Sequence, residues 1–266
     1  MAEAGRVPVG ADPSQPNAAR VYNYLLGGKD NYEVDQQVAH RMLAVDPATR
    51  RLAWFSRRFL LYGVELAARH GIRQFLDLGA GIPIAPHVHE VARKEQPAAR
   101  VVAVDYDPVV HAHTNALLAG TPGVTSLLAD VRDTEELIDR LRTEELVDFT
   151  QPVALLIVGV LHFIMDEEKP HEVIARFRDV LAPGSYLVFT QASDSTAAEF
   201  MNQTGDDTGG SPAQVAYRSR EQAQRFLDGF EDMEKGLAPL QQWFDTELLI
   251  TKLVIYGGIG RKPAPP

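Results

Sequence analysis

Three carboxylates are the residues best placed to do chemistry, because each lies at the end of an apolar stretch. Asp77 begins the motif DLGAGIP, Asp105 ends RVVAVD, and Asp130 follows VTSLLA. Gly79 and Gly81 permit a tight turn that brings the backbone close to a ligand. An acid at Asp105, 24 residues after Gly81, can accept hydrogen bonds from both hydroxyls of a ribose. Asp130 can accept one from an adenine amino group, so the three acids predict a nucleoside-binding site.

Strands that alternate with helices must position these carboxylates. Nearly continuous apolar runs are separated by helix-start signals, such as Pro83 and Pro108 at first helical positions and the capping-box spacings at Asp133 and Ser219. This pattern predicts a parallel sheet covered by helices on both faces, with ligands at the carboxyl ends of its strands. The strands are expected at 74–80, 100–107, 124–131, 152–160 and 184–192, and two late segments, 230–235 and 252–260, complete the sheet.

The residues before the sheet predict a tail and a helical cap. Residues 1–17 contain three prolines and few large apolar groups, which is typical of a disordered tail. A helical region starts near Glu33, and apolar residues three and four apart between Pro47 and His70 form one helix face. The stretch 193–215 has no predicted element, as is typical of functional or mobile loops. The expected units are the tail at 1–17, the cap at 18–71 and the ligand-binding domain at 72–266.

The composition argues against several classes of function. A net charge of −10 disfavours nucleic acid as the main partner, because phosphate binding requires a basic face. The absence of cysteine excludes disulfides, thiolate nucleophiles and cysteine metal ligands. No apolar run has the ~20 residues that a membrane span needs, and no signal peptide is visible. We therefore expect a cytoplasmic protein with no membrane or nucleic-acid partner.

Two classes of cofactor use a glycine turn followed by strand-end acids. A dinucleotide fold requires Gly-x-Gly-x-x-Gly, whose third glycine lets helix and strand pack closely. Ile84 occupies that position here, which argues against a nicotinamide-dependent oxidoreductase. S-adenosylmethionine (SAM) has no pyrophosphate, and its sites typically carry an acid before the glycines, as Asp77 does here. SAM is therefore the favoured cofactor, with the dinucleotide as the less favoured alternative.

The sequence resembles an actinobacterial S-adenosyl methyltransferase family, formerly a domain of unknown function, within the class I SAM-dependent methyltransferases. The segments that carry the resemblance span residues 19 to 262 and are ARVYNYLLGGKDNYEVD, IRQFLDLGAGIP, HEVAR, ARVVAVDYDPVVHAH, PVALLIVGVLHFIMD, LAPGSYLVFTQAS, YRSREQAQRFLDGF and YGGIGRK. The resemblance implies a doubly wound, Rossmann-like α/β fold with a mostly parallel seven-stranded sheet, an antiparallel last strand and an N-terminal helical cap. It also implies methyl transfer from SAM.

The class pattern also implies which residues contact the cofactor. It places Asp77, Gly79 and Gly81 at the methionine part of SAM, Asp105 at the ribose, Tyr106, Asp130 and Val131 at the adenine, and Gly159 and Val160 at the methyl group. Pro83 replaces a glycine that is common at the end of the class motif. Because proline at a helix start costs little, we expect cofactor binding to be retained.

His162 is the candidate catalytic residue, since it follows the fourth predicted strand at the mouth of the expected pocket. An imidazole with a pKa near ~6.5 can take a proton from a substrate hydroxyl or amine. The alternative is a structural histidine that caps the following loop, because alignment alone drives many methyl transfers. The pairs His87/His89 and His111/His113 fall in predicted helices, where residues two apart point about 200° apart, so no metal site is expected.

The segment ARVYNYLLGGKDNY, residues 19–32, is expected to form a lid over the cofactor and one wall of the substrate site. Its tyrosines are large and amphipathic, and its Gly-Gly pair allows a bend. Folded back over the carboxyl edge of the sheet, it would shield the sulfonium from water. The residues expected to touch ligand are Arg20, Tyr24, Gly28 and Asp30. The alternative is that the tyrosines only pack the cap onto the body.

Together these features predict a SAM-dependent methyltransferase that acts on an oxygen, nitrogen or carbon nucleophile of a small molecule. The chain is acidic and too short for a separate substrate-recognition domain, which favours a small molecule over nucleic acid. A sensor that binds SAM without catalysis is the alternative, because strand-end acids serve binding alone. The oligomeric state stays open.

Overall fold

A seven-stranded sheet runs through the protein in a computed structural model that describes residues 12–118, 120–244 and 251–264. Its strands are β1 (Gln74–Leu78), β2 (Arg100–Asp105), β3 (Val124–Leu128), β4 (Val153–Ile157), β5 (Tyr186–Ala192), β6 (Glu231–Pro239) and β7 (Ile255–Arg261). They lie in the order β3-β2-β1-β4-β5-β7-β6. The first five strands are parallel, whereas β7 is antiparallel to both of its neighbours. The predicted seven-stranded sheet and its antiparallel last strand are confirmed.

The register of the parallel strands brings the candidate residues to one edge of the sheet. Asp77 on β1 is level with Ala103 on β2 and with Leu156 on β4. Asp105, the last residue of β2, is level with Leu128 at the end of β3. Because these strands run in the same direction, the loops that follow β1 to β4 all lie at this carboxyl edge.

Helices cover both faces of the sheet. They are α1 (Ala18–Leu25), α2 (Glu33–Val45), α3 (Thr49–Arg69), α4 (Val88–Glu95), α5 (Pro108–Leu118), α6 (Thr134–Thr143), α7 (Pro170–Val180), α8 (Ala198–Thr208), α9 (Arg220–Gln224) and α10 (Leu240–Trp243), with short 3₁₀ helices at 161–163, 166–168 and 225–227. The core on one face includes side chains of α3, α4 and α10, and the core on the other includes those of α6 and α7. Among the described helices, none is long and apolar enough to cross a bilayer.

The helix-start signals gave mixed results. Pro108 begins α5, and Ser219 forms the predicted capping box with Gln222. Pro83 does not begin a helix, because α4 starts only at Val88. The intervening backbone is instead held by Arg57, whose Nη2 donates to the carbonyl oxygens of residues 84 and 86.

The prediction that 193–215 lacks secondary structure was wrong, because this stretch contains helix α8. Its threonines, aspartates and glycine have low helix propensity, but tertiary burial outweighs propensity here. Phe200 is 1% exposed and belongs to the core beneath α3. An ion pair of 2.6 Å between Arg41 and Asp207 also joins α2 to α8.

The N-terminal cap consists of α1, α2 and the start of α3. Its own small core contains Val21, Leu25 and Val38. Residues 1–11 of the predicted tail lie outside the described residues. The remainder, 12–17, ends in a buried Asn17 whose side-chain oxygen accepts a hydrogen bond of 2.8 Å from the Ala19 amide. Asn17 therefore belongs to the cap, as the N-cap residue of α1.

Candidate active site

A cavity of about 540 Å³ lies at the carboxyl edge of the sheet, beneath the N-terminal cap. This volume falls within the roughly 300–1,000 Å³ that is typical of small-molecule sites. One side of its wall comes from the strand ends and the other from α1, α2, α3, α8 and residues 210–217. The structure brings all the predicted strand-end residues to this wall, namely Asp77, Gly79, Gly81, Asp105, Tyr106, Asp130, Val131, Gly159 and Val160, and His162 beside them.

The loop after β1 turns sharply at Gly79 and Gly81, whose φ angles are +68° and +66°. A Cβ at position 79 would lie 2.3 Å from Cγ2 of Val160, so glycine is required there for packing. A Cβ at Gly81 or at Gly159 would meet no atom within 4 Å, so both backbones face open cavity. A ligand can therefore approach the main chain closely at these two positions.

The Asp105 carboxylate is tied to the glycine turn. Its Oδ2 accepts from the Gly81 amide at 2.9 Å, and its Oδ1 accepts from the Asp107 amide at 3.0 Å. The residue is 7% exposed, and burial raises its pKa to about 6 in spite of these hydrogen bonds. Each oxygen keeps a further acceptor site, so additional donors from a ligand would stabilise the ionised form.

Asp77 is a buried carboxylate with no hydrogen-bond donor among the described residues. Burial raises its pKa to about 7, and the nearby charge of Asp105 adds to that rise, although Arg57 opposes it. A carboxylate desolvated in this way is stabilised by a cation brought next to it. The position therefore fits a cationic group of a ligand.

The outer end of the cavity combines an aromatic ring with an ion-pair chain. Tyr106 is 43% exposed, which leaves ring surface for stacking. Both oxygens of Asp130 accept from Arg132, which also pairs with Glu168 at 2.6 Å. Burial raises the pKa of Asp130, but the hydrogen bonds from Arg132 outweigh it, so the net shift is downward. Because Asp130 is already engaged, the Val131 amide is the freer group, with no acceptor among the described residues.

His162 lies on the 3₁₀ helix at 161–163 and is 8% exposed. Its Nδ1 is buried and has no hydrogen-bond partner in the described part of the chain. Burial, with a smaller effect from the positive charge of Arg218, lowers the pKa of the imidazole to about 3. His162 is therefore neutral at physiological pH and a poor proton acceptor.

Comparison with known proteins decides between the cofactor classes. A model of the S-adenosyl methyltransferase family matches residues 6–263. The chain belongs to this family. A crystal structure of a Thermobifida fusca protein assigned as a methyltransferase shares 37% identity and a TM-score of 0.87, covering 96% of this chain and 98% of that one. A DUF574 family protein from Streptomyces avermitilis shares 32% identity and a TM-score of 0.88, covering 95% and 99%.

A more distant structure shares the fold of the methyltransferase. The N-methyltransferase NodS from Bradyrhizobium japonicum, crystallised with S-adenosylhomocysteine (SAH), is 15% identical with a TM-score of 0.51 over 93% of this chain and 100% of NodS. No curated protein matches the sequence. The resemblance seen in the sequence is confirmed. The protein is a SAM-dependent methyltransferase of the class I fold, and SAM is its cofactor.

The residues of the methyltransferase cavity fit SAM. Asp77 offers to the ammonium of the methionine part a buried carboxylate that has no donor in the described part of the chain, and open space lies in front of Gly81 and Gly159. Asp105 retains acceptor sites for the ribose hydroxyls. Val131 offers to an adenine ring nitrogen an amide that has no acceptor within the described ranges.

The structure places Arg20, Tyr24, Gly28 and Asp30 away from the cavity wall, contrary to prediction. Arg20 pairs with Asp35 at 2.8 Å, the Tyr24 hydroxyl lies 2.6 Å from His40 Nε2, Gly28 packs against Asn23, and Asp30 lies 3.8 Å from His113. For Arg20 and Tyr24 the reason is helical periodicity, since both side chains lie on a side of α1 that meets polar residues of α2, whereas Gly28 and Asp30 lie beyond the end of α1. The cap residues that do line the cavity include Asn17, Val21, Tyr22 and Leu25.

Sequence reasoning missed the wall that α8 and the following residues contribute to the methyltransferase site. Phe200, Thr204 and Thr208 line the cavity from α8, and Tyr217 joins them. Their spacing of four, which marks one face of a helix, was the signal that could have revealed this wall. Arg57 also lines the cavity, where its charge lowers the pKa of Asp77.

Proposed function

We propose that the methyl acceptor is a small molecule, and that it binds between the strand ends and the cap. The observation that carries this proposal is the single cavity shared by the strand-end residues, the cap and α8. Methyl transfer requires the nucleophile, the methyl carbon and the sulfur to align, and a cavity walled by both the strand ends and the cap provides that alignment for a molecule that fits between them. The nucleophile is an oxygen, nitrogen or carbon atom.

Bound SAM supplies an electrophilic methyl group on a sulfonium. We assign Asp77 to the ammonium of the methionine part, Asp105 to the ribose hydroxyls and the Val131 amide to the adenine edge. Tyr106 covers one face of the adenine. Arg132 holds Asp130 in place beside them, and the cap excludes water from the sulfonium side.

The chain promotes the reaction by positioning rather than by proton abstraction. His162, the candidate base, has its pKa lowered by burial to about 3, so it holds a proton too weakly to drive deprotonation of an alcohol. Its neutral ring instead packs against Phe163, with ring centroids 4.4 Å apart, and forms part of the cavity wall. Alignment of the reactants supplies most of the rate in this proposal.

An assay with methyl-tritiated SAM and a cell extract tests the proposal. The extract is separated by ultrafiltration and extraction into small molecules, proteins and nucleic acids before the purified enzyme is added. Label in the small-molecule fraction is the expected result and excludes a sensor that only binds SAM. Label confined to protein or nucleic acid would overturn the proposal.

Two further predictions concern the class of molecule that the enzyme binds and its location in the cell. The net charge of −10 supports a partner other than nucleic acid. A cytoplasmic location stays a prediction from the sequence, and fractionation of cells followed by immunoblotting measures it.

A further inference from the structure

Among the described residues, the charged side chains of the cavity wall lie on α3, on the strand ends and on the loops that follow the strands. Among the described lining residues, the charged ones are Arg57, Asp77, Asp105, Asp130, Arg132 and Glu168. The last three pair with one another at the adenine end, and the first three surround the glycine turn. Asp130, Arg132 and Glu168 are therefore committed to one another, whereas Arg57 on α3 keeps a buried Nε without a hydrogen-bond partner among the described residues.

The opposite end of the wall carries no charge. In the described part of the chain, α1, α2, α8 and residues 210–217 contribute apolar side chains such as Leu25, Val38, Met42 and Phe200, together with a few hydroxyl and amide groups. A charged ligand group buried against this wall would have no partner, and unpaired burial of an ion is strongly unfavourable. The wall therefore selects against charged acceptors.

The hydroxyl groups on this wall commit their hydrogens to the protein. Thr204 Oγ1 donates to the Phe200 carbonyl at 3.0 Å, and Thr208 Oγ1 donates to the Thr204 carbonyl at 2.6 Å. The Tyr22 hydroxyl likewise donates to the Ala53 carbonyl at 3.0 Å. Each hydroxyl has one hydrogen but two lone pairs, so what remains available on these groups is acceptor capacity.

Tyr217 shows this arrangement most clearly. Its hydroxyl lies 2.8 Å from Thr204 Oγ1. Because Thr204 Oγ1 has two helix carbonyl acceptors at 3.0 Å, those of Phe200 and Met201, we assign its single hydrogen to them and the donor role in this pair to the Tyr217 hydroxyl. Its oxygen keeps a free lone pair in an otherwise apolar region of the cavity, where a hydrogen bond is stronger than in water.

We propose that the methyl acceptor is an uncharged, largely apolar molecule that donates an O–H or N–H hydrogen bond to Tyr217. The inference rests on the proposed function, because it concerns the acceptor part of the same cavity. An apolar body fills the space between the cap and α8, and the donor group fixes its orientation. Tyr217 is thus a specificity-determining residue for this reaction.

Four naphthalene probes test the proposal by fluorescence titration with saturating SAH. Naphthol is neutral and carries a donor, its methyl ether is neutral and carries none, naphthoate is an anion, and naphthylmethylammonium is a cation. We expect naphthol to bind most tightly and its methyl ether about five- to tenfold more weakly, for the loss of one hydrogen bond. Both ions should bind at least about a hundredfold more weakly than naphthol, for lack of a partner.

Matched variants separate the hydrogen bond from packing. Tyr217→Phe should weaken naphthol binding about fivefold and leave the methyl ether unchanged. Tyr186→Phe is the control, because the Tyr186 hydroxyl is buried with no hydrogen-bond partner among the described residues and does not belong to the cavity wall. Val215→Lys, on the uncharged wall, should gain affinity for naphthoate, and Leu117→Lys, on a side chain 58% exposed and outside that wall, should not.

The outcomes of these experiments distinguish failure of the inference about the acceptor from failure of the proposed methyltransferase function. If naphthoate or the ammonium probe binds the wild-type protein as tightly as naphthol, or if no probe binds while SAH does, the inference is overturned and the proposed function stands. Equal weakening of naphthol and its ether by Tyr217→Phe would also overturn it. Loss of SAH binding by the wild-type protein would overturn the proposed function itself.

Discussion

Nη1 of Arg20 on α1 lies 3.5 Å from Oδ2 of Asp107, just beyond the strand-end acid Asp105. The same guanidinium donates through Nε to Asp35 on α2 at 2.8 Å, and the Asp107 amide donates to Asp105. The side chains of Arg20, Asp35 and Asp107 are at most 5% exposed. A buried ion-pair network therefore holds the cap against the loop that follows Asp105, the carboxylate that we propose binds the ribose.

Replacement of Arg20 should destabilise the whole protein. We expect Arg20→Met to lower the free energy of unfolding by about 3–5 kcal/mol, because two buried carboxylates lose their cation. Methionine keeps much of the apolar volume, and urea denaturation gives the change. Arg41→Met is the control, since Arg41 is 44% exposed and its pair with Asp207 should contribute less than about 1 kcal/mol. If Arg20→Met and Arg41→Met lowered the free energy of unfolding equally, the buried network would not be what holds the cap.

Asp105 should contribute strongly to cofactor binding. Hydrogen bonds from ribose hydroxyls to a carboxylate are worth roughly 1.5–3 kcal/mol each, so Asp105→Ala should weaken SAH binding at least about tenfold. Isothermal titration calorimetry measures the affinity, and thermal unfolding checks that the variant is folded. Asp139→Ala, on a side chain 75% exposed on α6, provides the comparison and should bind normally. An unchanged affinity in Asp105→Ala would remove this residue from the site.

Cofactor affinity should rise with pH through the range in which Asp77 ionises. Burial raises the pKa of Asp77 to about 7 in the free protein, and a bound ammonium would lower it. Binding then favours the deprotonated carboxylate and releases a proton. The Kd for SAH should therefore fall about tenfold between about pH 6 and pH 8.

Asp77→Asn removes the titrating group and should flatten most of this pH dependence. A smaller dependence should survive at lower pH, because burial also raises the pKa of Asp105, to about 6. Calorimetry in two buffers of different ionisation enthalpy counts the released protons directly. An equally steep pH dependence in Asp77→Asn would assign the titration to another group.

His162 should stay neutral throughout the physiological range. Burial lowers the pKa of its imidazole to about 3, so the Cε1 resonance in histidine-labelled protein should not shift between about pH 8 and pH 5. Because the unfolded chain binds this proton near ~6.5, His162 also makes the fold less stable as pH falls below that value. His162→Asn should remove that part of the acid sensitivity. A titration near the ordinary histidine pKa would restore the general-base hypothesis.

Bound cofactor should protect the N-terminal cap from cleavage by trypsin. Arg20 is buried and Lys29 is exposed, so tryptic cleavage after Arg20 requires release of α1. SAH contacts should hold the cap closed and slow cleavage at Arg20 and Lys29 markedly, because a ligand that binds only the closed form suppresses opening. Cleavage after Arg142 on α6, 48% exposed, serves as the internal reference. Identical rates with and without SAH would show that the cap does not act as a lid.

The strand ends illustrate what can be read from the sequence alone. Continuous apolar runs that end in Asp77, Asp105 and Asp130 specify parallel strands, and parallel strands bring their carboxyl ends to one edge. The periodicity between Pro47 and His70 predicted α3 for the same reason, since spacing of apolar residues reflects local backbone geometry. The methyltransferase class followed from these local patterns and from the motifs that surround them.

The acceptor side of the cavity was decided by tertiary structure. The second half of helix α8 consists mostly of weak helix formers, and burial of Phe200 against the core compensates for that weakness. Arg20 lies in a segment rich in polar and aromatic residues, and only the fold of the cap shows that it meets Asp35 and Asp107 rather than ligand. By itself, the sequence determined the strands and the acids at their ends, because these patterns depend on neighbours along the chain. Only the tertiary structure decided the acceptor wall around Tyr217, because that wall depends on contacts between segments far apart in sequence.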